Sequence, residues 1–131
     1  MNVEKTTADY LEAMLMVQKK YGHIRSVDVA ARLGVTKPSV TYTTKRLREA
    51  GLITMDDDNL ITITEEGMKI ARKTFYRHQL LTSFLIEIGV NPEQAEEDAC
   101  KLEHDFSEES FDLLVKHLET EGHSIPETAE N

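Results

Sequence analysis

The stretch Val27–Ile53, VDVAARLGVTKPSVTYTTKRLREAGLI, decides how the chain folds. Ser26 stands where a helix N-cap is needed, and VDVAARL then reads as a short helix with Val27, Ala30 and Ala31 facing inward. Gly34 breaks that helix in a tight turn and Val35 fills the turn. Thr36 or Lys37 starts the next helix, with Pro38 in its first turn, where a missing N–H costs little. Short helix, glycine turn and second helix make the helix-turn-helix pattern. In the second helix Val40, Thr44 and Leu47 recur at helical spacing and are expected to pack inward. Lys37, Lys45, Arg46 and Arg48 are then the phosphate candidates, while Pro38, Ser39 and Tyr42 are placed to read base edges or their shape.

Working outward, Gly51 ends the second helix, and LITM and LITIT flank the turn-forming cluster Asp56-Asp57-Asp58-Asn59. Two β-rich runs around such a turn predict a hairpin, and helix-turn-helix plus hairpin is a winged helix. Three aspartates at the wing tip would repel phosphate, so this wing is not expected to enter a groove. Upstream, Thr6 and Thr7 offer N-caps for a first helix through about Lys20, with Leu11, Met14, Leu15 and Gln18 along one side. Asp9 and Glu12 stand three apart and so share a face of it. Downstream, Thr64–Ile88, TEEGMKIARKTFYRHQLLTSFLIEI, reads as one long helix capped by Thr64, ended by Gly89 and centred near His78.

Charge divides the chain at that helix. Residues 1–77 hold 13 Lys and Arg against 10 Asp and Glu, whereas residues 78–131 hold 2 against 14, so a net charge of −9 conceals a basic first half. Charge excess is usually a solvated surface. The sharper reading is that only the first half meets phosphate. One cysteine cannot close an internal disulfide and fits a reducing cytoplasm. With no apolar run of about 18 residues and no leader, the expectation is a cytoplasmic protein with no membrane partner.

In the acidic half, PEQAEEDACKLEHDF reads as a helix from Pro92 to about Phe106, placing Cys100, Glu103 and His104 on one face. Ser107 caps a last helix whose stripe of Phe111, Leu114, Val115 and Leu118, with Phe84 and Leu85 of the long helix, belongs either to a dimer interface or to an intradomain core. Thiolate, carboxylate and imidazole on one turn are a divalent-metal donor set, and Asp9, Glu12 and His78 offer more of the same chemistry. Each residue alone has a plainer reading: a small buried apolar cysteine, a structural histidine, a solvated acid pair. Their joint occurrence favours metal, because carboxylates converging in a core are costly without a cation.

These motifs, VDVAARLGVTKPSVTYTTKRLREAGLI, YRHQLL and CKLEHDFS, resemble the metal-dependent repressors of the diphtheria-toxin-repressor and manganese-transport-regulator family, from about Thr6 to Leu118. The resemblance implies a mainly α protein: a winged helix-turn-helix DNA-binding domain with a small β-hairpin wing over residues 1–63, a linking part of the long helix over 64–77, a helical metal-binding and dimerisation domain over 78–122, and a flexible tail over 123–131. It implies a homodimer on a palindromic double-stranded DNA operator, with Asp9, Glu12, His78, Cys100, Glu103 and His104 as metal ligands. Asp9 is similar to the manganese-responsive branch and Cys100 to the iron-responsive one, a mixed signature, and Mn(II) or Fe(II) is expected as corepressor without separating the two. The iron branch has an ancillary site whose positions here are His78, Thr82 and Glu96, so that site is expected to be incomplete or altered, and that branch's C-terminal SH3-like domain is not expected here. Two other classes compete with this reading. One is a winged-helix regulator sensing a small organic ligand or oxidation through Cys100. The other is a metallohydrolase, against which stand the missing HExxH, phosphate-loop and nucleophile motifs; no enzyme is expected.

Overall fold

Thr36 sets where the second helix of the motif begins. In the computed structural model, which describes residues 5–122, its hydroxyl oxygen accepts from the Ser39 amide at 3.3 Å, and Pro38 follows in the first turn of α3 (Lys37–Glu49). Val40, Thr44 and Leu47 are buried as their spacing requires. The preceding helices are α1 (Lys5–Tyr21) and α2 (Ser26–Leu33), and Gly34 closes α2 in the left-handed conformation at φ 68°. Two expectations shift here. The α2 core face is Val29 and Ala30, while Val27 is 54% exposed and Ala31 lies outside, so the buried stripe sits one step round the helix from the face expected. Arg25, not Ser26, holds the cap position of α2, with no side-chain cap. In α1, Thr6 and Thr7 lie within the helix instead of capping it.

The hairpin is built by alternation. β1 (Ile53–Met55) pairs antiparallel with β2 (Ile61–Ile63), Ile53 opposite Ile63, Thr54 opposite Thr62 and Met55 opposite Ile61. The isoleucine pair is buried and the threonine pair exposed, which pins the register because a one-residue slip would turn the isoleucines to water. Asp56 is part of the turn itself: its Oδ1 accepts from the amides of Asp58 and Leu60, both at 2.9 Å. Ile24, between α1 and α2, accepts from the Ile61 amide at 2.9 Å and draws the hairpin onto the helices. Leu11, Met14, Ile24, Val29, Val40, Ile53 and Ile61 form the core of this unit, each large side chain worth roughly 1.5–3 kcal/mol.

The long helix α4 (Glu65–Glu87) starts against the hairpin. Thr64 accepts from the Gly67 amide at 3.2 Å and donates to the Gly51 carbonyl at 2.7 Å, while its own amide donates to the Leu52 carbonyl at 3.0 Å. That approach leaves no room at Gly67, where a Cβ would overlap the Leu52 carbonyl oxygen and stand 3.0 Å from Ile63 Cγ2. The chain divides into two compact units between Arg72 and Lys73, inside α4.

The second unit comprises the rest of α4, then α5 (Pro92–Leu102) and α6 (Glu108–Thr120). Asn91 caps α5 through the Glu93 amide at 2.9 Å, and Ser107 caps α6 through the Ser110 amide at 3.0 Å. Leu80, Leu81, Ala99, Phe111 and Leu118 form its core, with Phe84, Leu114 and Val115 packed around them. Of the apolar stripe that the sequence left open between interface and core, Phe111 and Leu118 are thus buried in the intradomain core, while Phe84, Leu114 and Val115 are half-buried against it. Exposed apolar side chains of this unit are instead Ile86, Ile88, Leu102 and Leu113. Helix α5 ends at Leu102, about one turn before the expected Phe106, and Glu103 holds its C-cap. The tail expected over 123–131 lies outside the described residues.

Candidate metal centre and nucleic-acid interface

In the second unit two elements bring three of the expected ligands together. His78 projects from the middle of α4, and Glu103 and His104 follow the last turn of α5. Glu103 Oε2 lies 3.2 Å from His78 Nδ1, and Glu103 Oε1 lies 3.4 Å from His104 Nε2. The Glu103 residue is 2% exposed, and among the described residues its Oε1 makes no hydrogen bond of acceptable geometry. A buried carboxylate with an unused lone pair between two imidazoles is a poor resting arrangement and a good donor set for a divalent transition metal. These residues fit such an ion.

Cys100 lies one turn before Glu103 on α5 and is exposed, so the turn expected to present three ligands alike presents one to solvent and one to the interior. Glu96 of α5 has an oxygen 3.9 Å from His78 Nε2, leaving His78 with a carboxylate near each ring nitrogen. Thr82 Oγ1 is buried and without a hydrogen bond among the described residues. Asp9 and Glu12 belong to the first unit, three apart on α1; Glu12 is buried at 7% exposure in a helix otherwise lined by Leu11, Met14 and Leu15.

Sequence reasoning assigned no role to Arg77. Its Nη1 donates to the carbonyls of Glu103 at 3.1 Å and Phe106 at 2.9 Å, and its Cζ lies 4.8 Å from the centre of the Phe111 ring. The available signal was a cation next to the motif histidine at the edge of a strongly acidic half. Phe111 also meets Tyr76 and Phe106 edge-on at 6.1 and 6.0 Å. Burial, with the Glu119 charge, pushes the Tyr76 phenol up. Lys73 pairs with Glu108 at the start of α6, and that hydrogen bond and charge hold the Glu108 carboxyl below its ordinary value.

On the first unit, Lys37, Pro38, Ser39, Tyr42, Lys45, Arg46 and Arg48 are all exposed along α3. Ser39 is engaged by the Thr36 hydroxyl at 2.9 Å, and the Arg46 guanidinium carbon stands 5.8 Å from the Tyr42 ring centre. The hydrogen bond ties Ser39 to the helix cap, while Tyr42 remains 65% exposed beside Arg46.

Over residues 2–59 the chain matches the N-terminal DNA binding domain of the iron dependent repressors, and over 64–127 their metal binding and dimerisation domain. The chain belongs to the metal-dependent repressor family of the diphtheria-toxin repressor and the manganese-transport regulator. It is 43% identical over 106 residues to the transcriptional regulator MntR of Escherichia coli O6:H1 (strain CFT073), covering 81% of this chain and 68% of that one. To the HTH-type transcriptional regulator MntR of Bacillus subtilis (strain 168) it is 33% identical over 114 residues, covering 85% and 80%. A solved manganese-dependent transcriptional repressor in complex with manganese superposes with a TM-score of 0.75 at 27% identity, over 90% of this chain and 53% of that one. The chain thus spans about half the length of that repressor. The named members of the family are transcription regulators, not enzymes. No helix among the described residues is long and apolar enough to cross a membrane.

Proposed function

We propose that this chain is a metal-responsive repressor of metal-homeostasis genes, binding a palindromic operator as a homodimer when Mn(II) or Fe(II) is available. The observation that carries the reading is the buried Glu103 carboxylate held between His78 and His104 in a chain that also presents a basic α3. Family resemblance adds Asp9, Glu12 and Cys100 to the ligand set. A divalent ion held by these residues would supply positive charge that offsets their carboxylates.

The rest is the work of the chain. Without the ion, the carboxylates of Asp9, Glu12 and Glu103 would repel one another. With their charge offset, the reading heads of a twofold dimer take a spacing near one DNA turn, about 34 Å. Lys37, Lys45, Arg46 and Arg48 then meet phosphates, while Pro38, Ser39 and Tyr42 face the bases. Carboxylate and imidazole suit Mn(II) and Fe(II), and they are the majority of the set.

Selection from a random DNA pool, run in parallel with Mn(II), with anaerobic Fe(II) and with chelator, tests this. A palindrome enriched only with metal is the expected result. The same palindrome under chelator would remove metal from the mechanism and favour a regulator that senses oxidation or an organic ligand through Cys100.

A further inference from the structure

We infer that Arg77 is a positioning residue for the metal centre, holding the Glu103–Phe106 connection so that the Glu103 carboxylate stays between His78 and His104. The inference rests on the metal-binding reading above and deepens it. Arg77 and His78 are neighbours on α4, and both address Glu103: the histidine faces its carboxylate at 3.2 Å, and the arginine binds its main-chain carbonyl at 3.1 Å. The second carbonyl that Arg77 holds, that of Phe106 at 2.9 Å, lies at the other end of the same short connection between α5 and α6. One guanidinium therefore clamps both ends of the segment carrying two candidate ligands.

Local chemistry makes that clamp necessary. Glu103 is the C-cap of α5, so its carbonyl has no acceptor role in the helix, and the Phe106 carbonyl precedes the Ser107 cap of α6. Both would otherwise look for water beside a buried carboxylate. Both bonds come from Nη1, whose two hydrogens are fixed in the guanidinium plane, whereas a lysine ammonium rotating at the end of a flexible stem would not fix the separation of the two carbonyls. The Phe111 ring, 4.8 Å from the Arg77 Cζ, holds the guanidinium plane in place by cation–π attraction. Arg77 Nε is buried and makes no hydrogen bond among the described residues, and, after the Lys73 hydrogen bond and charge, the Arg77 charge also helps hold the Glu108 carboxyl below its ordinary value. Residues that orient metal ligands from behind typically change metal affinity by about 10–100-fold when removed.

The test uses the full chain and two ions, Mn(II) and Co(II), titrated in competition with a chelating dye. Arg77→Met and Arg77→Lys are compared with Lys73→Met, which removes the neighbouring α4–α6 ion pair and so controls for a general loosening of this unit. Hydrogen exchange of the metal-free proteins is measured over residues 103–106. Expected is a loss of about tenfold or more in affinity for both ions in Arg77→Met, with little recovery in Arg77→Lys. Exchange at 103–106 should rise before metal is added, while Lys73→Met keeps wild-type affinity. Equal losses in Arg77→Met and Lys73→Met, or wild-type affinity and protection in Arg77→Met, would overturn the positioning role. A wild-type chain that takes up neither ion would overturn the metal-binding reading, and the inference with it.

Discussion

Helix α3 and the α5–α6 connection hold their candidate functional side chains in opposite ways. On α3 every DNA-binding candidate is exposed, and the buried Val40, Thr44 and Leu47 merely hold the helix in place. Around the α5–α6 connection the candidate ligand carboxylate is itself in the core, and the fold must be strong enough to keep it there. The first arrangement tolerates change, since water can replace any single contact. The second does not, because a buried polar group that loses its partner has none in reserve.

The largest expected effect follows directly. Glu103→Gln removes the charge between His78 and His104 while keeping the shape, and metal affinity should fall by at least about 100-fold, beyond the usual range for outer residues. DNA binding should lose its response to metal in the same variant. Competition titration and a gel-shift series over metal concentration check both, and unchanged metal-dependent DNA binding would break the comparison, since the buried carboxylate would then be structural.

A second effect tests how firmly the first unit is built. Gly67→Ala places a methyl group against the Leu52 carbonyl and Ile63, and the backbone of neither can withdraw without disturbing the hairpin. Overpacking of this kind costs about 1–3 kcal/mol, to be read as a lower denaturation midpoint at constant slope. Thr36→Ala should cost less, about 1 kcal/mol, by removing the α3 cap. It also releases Ser39, so operator discrimination should weaken more than affinity for random DNA. Equal loss on both would show that Ser39 contacts backbone and not bases.

The same contrast between local and buried features explains which parts of the fold are legible in the amino-acid sequence. The helix-turn-helix is legible because its signals are local: Gly34 at positive φ, Thr36 and Pro38 at a helix start, Val40, Thr44 and Leu47 at one period. The hairpin is legible from alternation and the Asp56–Asn59 turn. Illegible are features set by tertiary packing. The inward phase of α2 depends on what covers it, so Val29 takes the place expected of Val27. The end of α5 at Leu102 is imposed by the turn into α6, while the helical period continues past it in sequence. Arg77 is invisible as a clamp because its acceptors are main-chain carbonyls 26 and 29 residues away, which no residue identity records.

The smallest effect is expected at Cys100, and it sharpens the comparison within a single helical turn. Cys100 and Glu103 are three residues apart, yet one is exposed and the other is 2% exposed. A candidate donor that stays in water can be replaced by a serine oxygen or by water itself with little penalty, whereas a buried one cannot. Cys100→Ser should therefore lower Mn(II) affinity a few-fold at most and leave folding unchanged. Its effect should fall on softer ions, because thiolate is the one donor of the set that prefers them. Parallel titrations with Mn(II) and Zn(II) would show a larger loss for Zn(II) if the thiolate ligates. An equal and large loss for both ions would mean that Cys100 is drawn into the interior when metal binds, and that the exposed and buried candidates of this turn do not differ in the loaded protein.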